Sequence, residues 1–140
     1  MGYSMCVKSI LLVVAFFISS IARAEWTGDK KDGMNSGFVI NKFHVGQIDQ
    51  RPYFCIEASN KYGNTTRGCS IKGLLVWGAS YSLFYNQALY YYTTGQFVRI
   101  YFSPNEWTYQ PFKNALTGSV IVGFSTCITR EQCFGPDRKK

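Results

Sequence analysis

The sequence predicts a mainly β domain of the OB-fold type, a five-stranded, partly open barrel with one helix between the third and fourth strands. Two observations support this fold class. Three segments with strand-like alternation are followed by one segment with helical spacing, and two further β-rich segments complete the chain. The length of 140 residues fits one domain.

The first three strands are predicted from their apolar patterns. Residues 37–48 alternate roughly between apolar and polar side chains, which indicates a half-buried strand. A turn at 49–52 leads to a second strand at 53–58. A polar loop at 60–68 then leads to a third strand at 69–76.

The helix and the last two strands follow in order. Residues 80–92 carry apolar side chains at helical spacing, with Ser80 or Ser82 as the N-cap and Gly95 as the stop. Residues 96–102 are predicted as the fourth strand. Residues 115–127, rich in Val and Ile, are predicted as the fifth.

The first 24 residues have the features of a secretory signal peptide. Lys8 gives a positive start, residues 10–18 are an unbroken apolar run, and Ala22-Arg23-Ala24 has the small-x-small pattern of a cleavage site. The apolar run is too short for a membrane span, which needs about 20 residues. We therefore expect residues 25–140 to form one exported domain, secreted through the periplasm and without a membrane span.

Export makes disulfides the expected role of the cysteines. Cys6 lies in the signal peptide, which leaves Cys55, Cys69, Cys127 and Cys133 in the mature chain. Three pairings are possible, and proximity in the sequence favours Cys55 with Cys69 and Cys127 with Cys133. A zinc site is the alternative, but these spacings do not match those of zinc knuckles, and no metal is expected.

Charge and aromatic content narrow the function. Without Lys8 and Arg23 the net charge falls from +7 to +5, and three positive charges lie at positions 138–140. The body is thus only mildly basic, whereas a nucleic-acid binder usually has a denser basic stripe. The mature chain also keeps 21 aromatic residues, more than so small a core can hide, which points to an interface or a ligand site.

The residues give little support for catalysis. His44 is the single histidine and lies within a predicted strand, where a hydrogen-bonded structural role is the simpler interpretation. Asp29 and Asp32 could pair, but such residues more often form turns. A binding module fits better, because Asp32, Met34 and Ser36 would point to one side of an extended segment. They would place a carboxylate, an apolar contact and a hydroxyl in a row.

Seven short segments, spread over the mature chain, carry a resemblance to a known family. They are residues 25–29 (EWTGD), 44–49 (HVGQID), 52–56 (PYFCI), 94–96 (TGQ), 98–100 (VRI), 107–109 (WTY) and 132–136 (QCFGP). In this order and at these spacings the chain resembles the binding subunits of pertussis-like toxins, of the subtilase cytotoxin and typhoid toxin type.

The resemblance implies an OB-fold protomer that joins four further copies in a ring of five, binds sialylated glycans of host cells and carries an enzymatic A subunit. Ser36 matches the central sialic-acid serine of the family, and Asp32 and Met34 match residues that line the same shallow pocket. Arg99 falls in the strand that closes this pocket. A sialic-acid carboxylate suits such a site, because hydroxyl and N–H groups hold it by charge-assisted hydrogen bonds.

One position departs from the family pattern. Tyr101-Phe102 stands where the binding component of subtilase cytotoxin has two tyrosines, the second facing the N-acyl group of the sugar. The resemblance therefore implies that Phe102 keeps the ring at the glycan site but lacks the donor. The expected function is a toxin binding subunit, without cofactor, nucleic acid or enzymatic activity. The alternative is a secreted OB-fold module that binds single-stranded nucleic acid through basic and aromatic residues.

Overall fold

A computed structural model of the chain describes residues 26–28 and 33–137. The proposed signal peptide and Asp32 lie outside these residues. Within the described ranges, five strands and two helices are formed, together with a 3-10 turn at Val76–Ser80. The strands are β1 (Gly33–Ile48), β2 (Arg51–Ser59), β3 (Thr65–Ile71), β4 (Val98–Ser103) and β5 (Val120–Thr126), and the helices are α1 (Tyr81–Thr94) and α2 (Gln110–Ala115).

The strands close into a barrel in the order β1-β2-β3-β5-β4, which confirms the five-stranded OB-type fold. The long β1 strand takes part in two pairings, with β4 from Gly33 to Phe38 and with β2 from Val39 to Ile48. The β3–β5 junction is much narrower, with a single parallel pair, Cys69 with Val120.

The interior of the barrel is filled by apolar side chains from β1, β2, β4 and β5, with α1 packed against them. Phe84, Ala88 and Tyr91 form the buried face of α1. The helix ends at Gly95 in the left-handed conformation, with φ 67°, and the Gly95 amide donates to the Tyr91 carbonyl at 2.9 Å. The predicted helix between the third and fourth strands is thereby confirmed.

A second apolar cluster lies on the opposite face of the strands and is covered by α2 and the segment before it. The Trp107 indole donates to the Ser119 carbonyl at 2.9 Å, and the Trp107 and Phe112 rings pack edge to face. Tyr101, which is 0% exposed, belongs to this cluster. Consecutive residues of β4 thus serve two different clusters, as the alternation of a strand requires.

Each disulfide joins two cysteines that follow one another in the order of the cysteines along the chain, 14 and 6 positions apart. Cys55 and Cys69 are opposite each other in the β2–β3 ladder, and the Cys127–Cys133 bond closes a short loop after β5. This is the pairing that proximity favoured. Among the described residues, no helix is long and apolar enough to cross a membrane.

Strand boundaries differ from the prediction at several places: β1 begins at Gly33 rather than at 37, and both ends of the third strand are shifted. The third strand begins at Thr65, because the Asn60 side chain accepts from the Tyr62 and Asn64 amides and confines the turn to residues 60–64. It ends at Ile71, and the turn that follows has Gly73 and Leu75 at φ angles of 74° and 59°, outside the extended region.

The predicted start of the fifth strand was also wrong. Residues up to Ala115 form the short helix α2, which has Pro111 in its first turn, and β5 starts only at Val120. At six residues α2 is too short to show an apolar period in the sequence.

Candidate functional site

The site begins with a hydrogen bond between β1 and β4. Arg99 Nε donates to Ser36 Oγ at 2.7 Å. Val98 and Ile100 belong to the interior cluster, so Arg99 between them points to the outside of the barrel. The structure thus brings together two of the residues that the sequence singled out, although they are 63 positions apart.

Ser36 occupies an irregularity in the sheet. Asn35 pairs with Ile100 and Phe38 pairs with Val98, so β1 takes three steps while β4 takes two. This bulge contains Ser36 and Gly37. Bulges re-aim side chains and are common beside functional sites.

Arg99 also holds the C-terminal segment. Its Nη1 donates to the carbonyl oxygens of Gly135 and Pro136 at 3.3 and 3.2 Å. The Tyr101 hydroxyl donates to the same Pro136 carbonyl at 2.7 Å. Residues 135–136 are therefore fixed on the outer face of β4, beside Ser36.

The loop closed by the second disulfide presses on the bulge. Gly37 has a φ of 72°, and a Cβ built there would lie only 2.2 Å from the Arg130 carbonyl oxygen. Both the backbone conformation and the space require glycine at this position. The contact is a second constraint on the bulge, so Ser36 is held by Arg99 and by the 127–133 loop.

This arrangement is suited to binding an anion. A serine hydroxyl has one donor and two acceptor positions. Because the Arg99 N–H occupies an acceptor position of Ser36, the hydroxyl hydrogen is directed elsewhere and can be donated to a ligand. Arg99 is only 7% exposed, and its described hydrogen-bond acceptors are a hydroxyl and two carbonyls. These acceptors are uncharged, so the carboxylate of a ligand nearby would give Arg99 a negatively charged partner.

The other predicted site residues have different outcomes. Met34 pairs with Tyr101 across the β1–β4 ladder and is half-buried against the second cluster, two residues before Ser36. Asp32 lies outside the described residues, so its predicted place in the site stays a prediction.

Phe102 was expected at the glycan site, and this stays a prediction. Phe102 is 4% exposed and belongs to the interior cluster. A Cβ on Gly68 would stand 2.0 Å from its ring, so the ring fills the space that Gly68 leaves open.

A second polar cluster lies in a cavity of about 480 Å³ beside β1, β2 and β3. Glu57 is 9% exposed, accepts from Arg67 Nε at 2.8 Å and pairs with Lys42 Nζ at 3.0 Å. The hydrogen bonds from Arg67 and then Lys42 hold the pKa of Glu57 below its ordinary value of 4.5. A charge so paired has a structural role.

His44 also has the role that the sequence favoured. Its Nε2 is hydrogen-bonded to the Tyr53 hydroxyl at 2.8 Å, and their rings are in contact. Within residues 26–28 and 33–137, no group of three or more His, Cys, Asp and Glu side chains is placed to hold a metal ion.

Two parts of the site were not predicted from the sequence. These are the Gly37–Arg130 contact and the anchoring of residues 135–136. Gly37 next to the candidate Ser36 was the one signal in the sequence, since a glycine inside a predicted strand often marks a bulge.

The comparisons place the chain among toxin subunits. No family model matches it. It is 62% identical over 119 residues to the B subunit of the subtilase cytotoxin of Escherichia coli, a match that covers 85% of this chain and 84% of the relative.

Solved structures agree with this similarity. A chain from the crystal structure of an E. coli AB5 toxin subunit with Neu5Gc-2,3Gal-1,3GlcNAc has a TM-score of 0.80 at 62% identity, covering 83% of this chain and 99% of that one. A chain from the subtilase cytotoxin assembly has a TM-score of 0.76 at 60% identity, with coverages of 80% and 100%.

A more distant structure has the same fold. It is a Salmonella typhi PltB homopentamer variant with Neu5Ac-alpha-2-3-Gal-beta-1-4-GlcNAc glycans, with a TM-score of 0.78 at 41% identity and coverages of 81% and 100%. Because it is 62% identical to the E. coli subtilase cytotoxin B subunit over most of both chains, this chain belongs to the family of subtilase cytotoxin B subunits.

Proposed function

We propose that the chain is the receptor-binding subunit of a secreted AB5-type toxin. It binds sialylated glycans of host cells as a homopentamer and carries a separate, enzymatic A subunit. It is not itself an enzyme. The relatives support the glycan binding, the pentamer and the assembly with a second subunit, since two of their structures hold a sialylated trisaccharide, one is a homopentamer, and another concerns the assembly of subtilase cytotoxin.

The hydrogen bond from Arg99 to Ser36 carries the proposal for the glycan site. It orients the Ser36 hydroxyl for donation to the sialic-acid carboxylate, next to the positive charge of Arg99. Met34 and Asp32 line the same pocket, the first as an apolar contact and the second as an acceptor for sugar hydroxyls. Arg99 positions Ser36 and the C-terminal segment.

Exposed apolar residues on α1 support the pentamer. Leu83, Leu89, Tyr90 and Tyr92 are between 41% and 61% exposed in the single chain. A helix that leaves so much apolar surface uncovered gains stability when other protomers or a partner cover it. Light scattering of the mature protein should give about five protomers, and a monomer at micromolar concentration would contradict the assembly.

Export through the periplasm belongs to the same proposal. Cleavage after Ala24 would yield a chain that begins at Glu25. The two disulfides suit the oxidising environment that such a chain enters. Intact-mass analysis of the secreted protein would give the start of the chain directly.

The test of the glycan site is Ser36→Ala. A hydrogen bond to a charged group contributes about 1.5–3 kcal/mol, so we expect roughly a tenfold to hundredfold loss of affinity for a sialylated trisaccharide. Ser59→Ala is the matched control, because the Ser59 hydroxyl also accepts a hydrogen bond, from Asn41 Nδ2 at 2.6 Å. The control should bind as the parent does. Equal binding by Ser36→Ala and the parent would exclude this site.

A further inference from the structure

We propose that Phe134 forms a subsite for the sugar that is linked to the sialic acid, with its ring stacked on the apolar face of that sugar. This inference rests on the proposed function and names a part of the site that neither the sequence patterns nor the resemblance assigned. The fixed backbone of the C-terminal segment and its continuity with Ser36 carry it.

Both flanks of Phe134 are held in place. On one side Cys133 is joined to Cys127, and the Phe134 amide donates to the Thr126 carbonyl at 3.0 Å. On the other side the Gly135 carbonyl accepts from Arg99 Nη1. Gly135 has a φ of 120°, and a Cβ there would lie 2.7 Å from the Tyr101 hydroxyl and closer still to Ser125 Oγ. The backbone at Phe134 is therefore anchored against the barrel.

The side chain of Phe134 is nevertheless 83% exposed. A single exposed apolar residue is ordinary on a protein surface. Phe134 differs because Arg99 connects its neighbour Gly135 to Ser36. Arg99 donates from Nη1 to the Gly135 carbonyl and from Nε to the Ser36 hydroxyl. The residue after Phe134 is thus linked through a single side chain to the hydroxyl proposed to hold the carboxylate.

A sugar linked to sialic acid suits this ring. One face of a galactose carries several C–H groups, which can pack on an aromatic face while the hydroxyls stay in water. The ring costs little to immobilise, because its backbone is already fixed and it has only two side-chain torsions.

The experiment compares two probes. One is the methyl α-glycoside of N-acetylneuraminic acid, and the other is the trisaccharide Neu5Ac-α2,3-Gal-β1,4-GlcNAc. We expect Phe134→Ala to weaken trisaccharide binding about tenfold and to change binding of the methyl glycoside less than about twofold. Phe134→Tyr keeps the ring and should bind both probes as the parent does. In saturation-transfer NMR the galactose C–H signals should be strong in the parent and weak in Phe134→Ala.

Tyr109→Ala is the matched control. Tyr109 is also an exposed aromatic, at 62%, but it lines a different cavity with Ile48 and Phe112. It should leave binding of both probes unchanged. Equal loss of both probes in Phe134→Ala, or no loss, would overturn the subsite while the sialic-acid site stands.

Two further outcomes bear on the same inference. Dissociation of the pentamer by Phe134→Ala would mean that a second copy covers the ring, and this too would overturn the subsite. A parent protein that binds neither probe would refute the proposed function itself, which separates that failure from a failure of the subsite.

Discussion

Gly37→Ala tests whether the disulfide loop fixes the bulge at Ser36. The matched control is Gly63→Ala. The two glycines have similar φ angles, 72° and 79°, but a Cβ on Gly63 would meet nothing within 4 Å, whereas one on Gly37 would stand 2.2 Å from the Arg130 carbonyl oxygen. The pair therefore separates the cost of the backbone conformation from the cost of displacing the loop.

The expected magnitudes follow from these distances. A side chain in the left-handed region costs about 1–2 kcal/mol, and both variants carry this term. Forcing a methyl group into a filled space adds about 1–3 kcal/mol, and only Gly37→Ala carries that term. The shift of Arg130 that relieves the overlap also moves the bulge, so the affinity for a sialylated trisaccharide should fall in Gly37→Ala and persist in Gly63→Ala.

The assay is urea unfolding of the oxidised protein at one fixed protein concentration, because assembly of protomers contributes to apparent stability. The difference in unfolding free energy between the two variants is the quantity that matters. Equal destabilisation by both would refute the claim that the Arg130 contact constrains the bulge.

Three further predictions follow from described contacts. The pKa of Glu57 is lowered in the folded state, so the ionised side chain stabilises the protein above pH 4.5 and this contribution is lost as the pH falls through the folded-state value. Glu57→Gln should therefore be less stable than the parent at pH 7. On urea unfolding, the difference in stability between the two should shrink in acid. Phe102→Tyr should lower the free energy of unfolding by about 1–3 kcal/mol on urea unfolding, because it adds a hydroxyl to a buried ring. Peptide mapping without reductant should recover Cys127 linked to Cys133, and a link from either to Cys55 would contradict the described fold.

The strands that the sequence predicted well have one face on the core and the other less covered. In β1 the apolar residues Phe38 and Ile40 are buried and alternate with a half-buried residue, so the period of two was visible. In β4 all six residues are buried, because the second cluster and the C-terminal segment cover its outer face. A strand covered on both sides does not reveal from its composition which side chains point inward. The packing of Phe102 in the interior cluster was therefore not predictable from the sequence.

The central residues of the candidate site could be predicted from the sequence. The contacts that hold them in place could not. Ser36 was singled out by its place in an extended segment and by the family resemblance, and Arg99 by the resemblance alone. Their hydrogen bond depends on the β1–β4 register, and that register is set by a bulge. The anchoring of Gly135 and Pro136 depends on contacts over more than 30 positions, which no local pattern contains.

The narrow β3–β5 junction gives the barrel a preferred place to open. Cys69 is tied covalently to Cys55 on one side, but on the other side it meets β5 only through the pair with Val120, supported by the Cys69 amide donating to the Ser119 carbonyl at 3.1 Å. Opening there breaks few hydrogen bonds and leaves the other four strand pairings intact. The β1–β4 pairing that carries Ser36 and Arg99 lies away from this junction in the ring. The surface around Ser36 and Arg99 can therefore keep its shape while the β3–β5 junction opens locally.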